Sequence, residues 1–217
     1  MAGAPLGLVL GSGVEGIESP PANIVVLMRH GSPSYALPHD IDHLTNMRLL
    51  LDAGCERVLA IGSVGGLRPE LGPGTLVCPD DFIALDTAPL TALDGRGAHR
   101  VPGFDANLRR DLLAALGDAG ADVQDGGVYW QASGPRLETP AEIRFVAAHA
   151  DVIGMTIASE SVIAAELGLR YAALCVVDNL ANGIADTELS LAQIEANRTR
   201  TRAIVVAAIV AALPRLA

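Results

Sequence analysis

The 217 residues are 50% hydrophobic but only 3% aromatic, so the chain can bury a sizeable core and must build it from Ala, Val, Leu and Ile. A formal net charge of −10 argues against a nucleic-acid backbone or an anionic membrane as partner, while leaving room for one small anion in a local pocket. All 15 basic residues are arginine, which excludes Schiff-base lysine chemistry and the lysine-bearing phosphate loop of ordinary nucleoside triphosphatases.

In chain order, short apolar runs alternate with longer helical patterns. Strands are expected over residues 7–10 and 24–28, then a helix over 42–53 that stops at Gly54. Strands at 58–61 and 75–78 follow. A polar stretch without period, rich in Gly and Pro, covers residues 86–103 and reads as a long loop, a feature often functional in compact domains. A helix over 105–119 opens on an N-cap type residue and ends before Gly120. A strand at 127–132 precedes a helix over 139–148, with Thr139 as cap and Pro140 at its first position. A strand at 152–155, a helix at 159–167 ending at Gly168, and a strand at 171–177 lead to a long final helix, 190–213. Its Arg198, Arg200 and Arg202 read as a solvated face. Several strands are continuous apolar runs, as in sheets buried on both faces. With no internal repeat or linker, residues 1–217 are expected to form one domain. The expected fold is a three-layer α/β sandwich around a central mixed, mostly parallel sheet. Cys55, Cys78 and Cys175 are widely spaced and odd in number, so they read as small buried hydrophobes in a reducing compartment, not as zinc ligands or disulfides. No apolar run is long enough to span a bilayer and no signal-peptide pattern is present, so a cytoplasmic location is expected, with no membrane partner and no bound metal.

Polar residues cluster where strands leave the core. Leu-Val-Leu-Gly-Ser-Gly at 8–13 is a strand running into a turn that can aim backbone N–H groups and the Ser12 hydroxyl at an anion. Arg29 and His30 end an apolar strand, at the edge where ligands of parallel sheets gather, and Arg suits forked bonding to phosphate; alone, the pair reads equally well as surface residues. Ile-Gly-Ser-Val-Gly-Gly at 61–66 lets a ligand approach the backbone. In Gly-Pro-Arg-Leu-Glu-Thr at 134–139, Glu138 lies just before a helix cap, open to a structural or a ligand-facing role. Gly-Met-Thr-Ile-Ala-Ser-Glu at 154–160 and Val-Val-Asp-Asn-Leu-Ala-Asn at 176–182 complete the set.

In this order, from about Leu8 to the C-terminus, these motifs resemble the trimeric purine nucleoside phosphorylases. The Arg-His-Gly form resembles the branch of methylthioadenosine and methylthioinosine phosphorylases. The resemblance implies a pentosyltransferase without cofactor, using inorganic phosphate as co-substrate and a small nucleoside, and working as a homotrimer. It implies phosphate binding by Ser12, Arg29, His30, the backbone N–H of Ser63, and Thr156. Met155 would pack on the sugar, Glu138 and Asn179 would hold the base, Ala181 would lie beside it, and His99 in the long loop would reach a neighbouring subunit's sugar pocket. Catalysis would fall to Asn179, Glu138 and His30. The chain departs from the family in a short segment between Gly13 and Arg29, in Ala158-Ser159 for the usual Val-Pro, and in Gly62 for a usual Asn or Thr.

Ionised Glu138 can only accept, whereas Asn179 can donate and accept. A 6-oxopurine offers N1–H to Glu138; adenine would set an acceptor against it. Adenine-specific members of the family are expected to carry Asp at the places of Asn179 and Ala181. The expected reaction is therefore phosphorolysis of inosine, guanosine or methylthioinosine, with Asp178 next door as the register to watch. The competing readings are a methylthioadenosine phosphorylase, a nucleosidase of the same fold, which would need no phosphate cage, and a non-catalytic nucleoside-binding protein.

Overall fold

The computed structural model describes residues 3–12, 14, 17, 20–88, 90–185 and 189–217. Gly13 of the first glycine turn, and parts of the short segment after it, lie outside the described residues.

The apolar runs become strands because each alternates between two covered faces. β1 (Leu6–Leu10), β2 (Ile24–Met28) and β3 (Arg57–Gly66) lie side by side in parallel, and β9 (Arg170–Leu180) runs parallel to β3 on its other side. Even-numbered Leu6, Leu8 and Leu10, with Leu59 and Ile61, point to one face. There they meet Leu112 and Leu116 of α2 (Ala106–Asp118) and Val205 and Ile209 of α5 (Leu191–Leu216). Val9, Val58 and Ala60 point to the other face, against Met47 and Leu50 of α1 (His43–Asp52) and Ile163 of α4 (Ile157–Leu167). Period-2 alternation with both faces apolar makes the three layers expected from the sequence.

The sheet is mixed. β4 (Leu76–Cys78) pairs antiparallel with β9, and β8 (Val152–Gly154) pairs antiparallel with the far end of β3. The remaining pairings, among them β7 (Val128–Gln131) with β8, are parallel. Two short strands not anticipated from the sequence, β5 (Asp81–Ile83) and β6 (Val123–Asp125), close its edges. At three residues each they are too short to show a period. α3 (Pro140–Val146) covers β7 and β8 through Ile143 and Val146. The loop at 86–103 contains one short 3-10 turn, Gly95–Ala98, and is tied to α4 by Glu166, which accepts from Thr91 and from the backbone of Ala92. All three cysteines are free and buried. No described helix is long and apolar enough to cross a membrane.

Candidate active site

Register places the polar strand ends together. Leu10 is paired with both Met28 and Ile61, so Gly11-Ser12 and Arg29-His30 leave the ends of β1 and β2 beside Gly62-Ser63, which stay inside β3 because that strand runs on against β9 to Gly66 and does not end at Ile61 as the sequence suggested. They open into a cavity of about 610 Å³. Ser12, Arg29, His30, Ser63, Glu138, Met155, Thr156, Asn179 and Ala181 all line it. His99 does not: it is exposed, beside the short turn of the long loop, and outside this cavity of its own chain.

Arg29 is only 3% exposed. Its Nε and Nη2 donate to the two carboxylate oxygens of Glu160 at 2.6 and 3.0 Å, and its Nη1 donates to the Ile61 carbonyl at 2.9 Å. Glu160 is fully buried and also accepts from the Tyr171 hydroxyl at 2.6 Å. Burial pushes the Glu160 carboxyl up, but the Arg29 guanidinium beside it outweighs this and holds it below the usual carboxylate range. The same contest runs in Arg29, where burial works against the cation and Glu160 overrides it, raising its pKa. The pair is therefore ionised. Of five guanidinium N–H groups, three are spent on Glu160 and Ile61, which leaves two for an anion. Gly11 makes room for this: a Cβ there would collide with Arg29 Nη1 and sit 3.0 Å from the Ile61 oxygen.

His30 is fixed by its own loop. Its Nδ1 lies 2.9 Å from the Ala36 carbonyl, which only accepts, so Nδ1 carries the proton. Its ring stacks on Tyr35 with centroids 4.4 Å apart. Thr156 occupies the N-cap of α4 without capping it. The caps come instead from β7: the Tyr129 hydroxyl accepts from Thr156 N at 3.1 Å, and Gln131 Oε1 accepts from Ser159 N at 3.0 Å. The Thr156 side chain therefore makes no cap hydrogen bond, and the residue lines the cavity.

Glu138 and Asn179 are held through backbone. Asn182 Nδ2 donates to the Glu138 carbonyl oxygen at 3.0 Å. The next residue, Thr139, starts α3 with a capping box: its hydroxyl accepts from Glu142 N, and Glu142 accepts from Thr139 N at 2.8 Å. Burial pushes the Glu138 carboxyl above its ordinary value. Asn179 Nδ2 spends one hydrogen on the Leu180 carbonyl at 2.8 Å and keeps a second. Gly134, at φ +65°, leaves space for Met155, whose sulfur would stand 2.6 Å from a Cβ there.

The Asp178 register is decided by a bulge. Val64 pairs with Val177 but Gly65 pairs with Asn179, so Asp178 is the extra residue. Asn179 lines the cavity, whereas Asp178 is buried and accepts from the Ser63 hydroxyl and from Arg198. Arg198 is accordingly not part of a solvated face, as the sequence pattern had implied: its side chain is 19% exposed, and with Arg202 it lines the cavity. The available signal was spacing, because 194, 198 and 202 share one stripe of α5 while Arg200 does not. Tyr35, Glu195 and Thr199 are further polar lining residues that lie outside the quoted motifs.

A cavity of mixed polar and apolar lining at the carboxyl ends of parallel strands, with a fixed cation and a separate donor–acceptor pair, is a small-ligand enzyme site of the α/β class. The model of the Phosphorylase superfamily matches residues 21–214. The chain is 40% identical over 182 residues to a probable 6-oxopurine nucleoside phosphorylase of Archaeoglobus fulgidus, a match covering 83% of this chain and 72% of that one. It is 37% identical over 205 residues to a probable S-methyl-5'-thioinosine phosphorylase of Pseudomonas syringae pv. tomato, covering 89% and 79%. Methylthioadenosine phosphorylase from Schistosoma mansoni, solved in complex with tubercidin, shares the fold with a TM-score of 0.83 at 20% identity, covering 98% of this chain and 91% of that one. The chain belongs to the phosphorylase superfamily and is an enzyme of that superfamily.

Proposed function

We propose that this enzyme cleaves a purine nucleoside with inorganic phosphate, and that the base is a 6-oxopurine. The observation that carries the reading is a single cavity lined both by Ser12, Arg29, His30 and Thr156 and by Glu138 and Asn179. In this reading the first group, with the Ser63 backbone N–H, holds phosphate. A phosphate oxygen forms the new bond to the anomeric carbon as the bond from that carbon to N9 of the base breaks. The bonding pair leaves with the purine, and the sugar passes through oxocarbenium character, as in glycoside hydrolysis. Asn179 has one Nδ2 hydrogen to give to N7, where charge grows only as the base departs, so the contact favours the transition state. In this reading the two remaining Arg29 N–H groups and the neighbouring backbone hold phosphate in place beforehand, which lowers the entropic barrier.

Ionised Glu138 accepts from N1–H of a 6-oxopurine. Two relatives, from Archaeoglobus fulgidus and Pseudomonas syringae, bear names for 6-oxopurine and methylthioinosine substrates, which supports this base. One observation favours a second reading, a methylthioadenosine phosphorylase. Burial raises the Glu138 carboxyl, and a protonated carboxyl can donate to the bare N1 of adenine. The Schistosoma mansoni enzyme of the same fold is named for that substrate. A homotrimer in the cytoplasm belongs to the proposal. His99 lies outside the cavity of its own chain, so it can serve a sugar only across a subunit boundary. Light scattering that finds a fully active monomer defeats that part.

The test is purified protein with inosine, guanosine, adenosine, methylthioinosine and methylthioadenosine, each with and without phosphate. Release of free base only with phosphate, fastest from the 6-oxopurines, is expected. Release without phosphate makes it a nucleosidase, and faster cleavage of the 6-aminopurines selects the second reading.

A further inference from the structure

Two charges beside the cavity have no part in the reaction just described. Asp178, in the β9 bulge, is 2% exposed, and one of its oxygens, Oδ2, accepts both from the Ser63 hydroxyl and from Arg198 Nε, the latter at 3.0 Å. Arg198 also donates from Nη1 to Glu195 at 2.8 Å. A small pocket lined by Ser12, Ser63, Asp178 and Arg198 adjoins the main cavity, which Ser12, Ser63 and Arg198 line as well.

A buried carboxylate one hydrogen bond from Ser63 works against any anion bound at the Ser63 backbone, because charges interact strongly where water is scarce. Arg198 stands against the same oxygen and cancels that charge. It also fastens α5 to the sheet from twenty residues further along the chain. We propose that Arg198 is a positioning residue of the phosphate subsite: by pairing with Asp178 it holds the Ser63 segment of β3 in place and sets the charge that the incoming anion meets. The inference rests on the phosphorylase reading and adds to it a residue outside the groups assigned to phosphate and base.

Opposite signs distinguish this role from plain structural support. Asn at 178 keeps an oxygen that accepts from Ser63 and Arg198 but removes the negative charge. Inorganic phosphate titrated by calorimetry into Asp178→Asn should therefore bind roughly threefold more tightly than into the unmodified enzyme, since Arg198 then has only the exposed Glu195 against it. Into Arg198→Ala it should bind roughly tenfold more weakly, because Asp178 is left unpaired. The double variant, in which neither charge of this pair remains, should return to within about threefold of the unmodified enzyme, and it keeps the test open if Arg198→Ala fails to fold. A purely structural pair would make both Asp178→Asn and the double variant weaker binders, and that result overturns the proposal. So does an unchanged affinity in Asp178→Asn. Base release by the unmodified enzyme, measured alongside, separates the two levels. Release without phosphate ends the phosphorylase reading and the subsite with it. Phosphate-dependent release with weaker binding in Asp178→Asn ends only the role of Arg198.

Discussion

The two groups of residues that line the cavity are held in opposite ways. Arg29 is buried, forked onto Glu160, and backed by Tyr171, so every charge has a partner inside the fold before any ligand arrives. Glu138 and Asn179 are half-buried, and their own fixed contacts run through the main chain at Asn182 and Leu180. A preformed, paired cation suits the holding of an anion in one fixed place. A carboxylate held by its backbone, with its proton undecided by the fold, suits a choice among bases.

Breaking the Arg29 side should cost most. Glu160→Gln leaves Arg29 buried without its counter-charge, and removal of one partner of such a pair typically costs about 3–5 kcal/mol. Urea unfolding reads this; a loss below about 1 kcal/mol, the size of an ordinary substitution, would mean that the pair does not organise the site. Arg29→Ala should in addition raise the KM for phosphate and lower turnover by roughly 10²-fold, and unchanged phosphate kinetics would remove Arg29 from the site. The pH dependence has a definite sign. The Glu160 carboxyl is lowered in the folded enzyme, so its contribution is complete above the ordinary value of 4.5 and is lost as pH falls from there through the lower folded value. Glu160→Gln should lack that acid limb when stability is followed against pH.

The base side should yield smaller, selective effects. Because burial raises the Glu138 carboxyl, its proton is taken up above the ordinary 4.5 as pH falls. Cleavage of inosine should decline in that window, while cleavage of adenosine, which gains a donor at Glu138, should rise. Parallel pH profiles for the two nucleosides would show that Glu138 does not face N1. Glu138→Gln should flatten both profiles and lower kcat/KM for inosine by roughly tenfold, the scale of exchanging a charged for a neutral acceptor.

Asn179→Asp should move the ratio of adenosine to inosine cleavage upward by no more than a few-fold, since Ala181 supplies no second acid. A ratio that stays fixed would take Asn179 away from N7. The smallest effect belongs to the cap: Thr139→Ala should cost about 1 kcal/mol of stability and loosen Glu138 without touching phosphate affinity. A shift in phosphate KM in that variant would couple two regions that the comparison keeps apart.

Much of this was legible in the chain itself. β2 falls on residues 24–28 as its apolar run indicates, and α1 and α2 begin where Asp42 and Asp105 cap them. The polar strand ends at Ser12 and Arg29 were equally visible, because a turn after a buried strand is a local pattern; Ser63 was not a strand end, because pairing with β9 carries β3 on to Gly66. The partner of Arg29 was not: Glu160 is 131 residues away and sits in a helix whose apolar composition hides it. Thr156 was marked for phosphate, but its release from capping depends on Tyr129 and Gln131 in another strand.

Sequence by itself determined which segments form strands covered on both faces and where glycine opens a turn, since side-chain alternation and backbone freedom act over a few residues. Only the tertiary structure decided which way Asp178 faces, that Arg198 meets it, and how far burial lifts Glu138. A bulge shifts the strand register by one residue, an ion pair needs two distant segments brought within 3 Å, and desolvation depends on everything packed around a group.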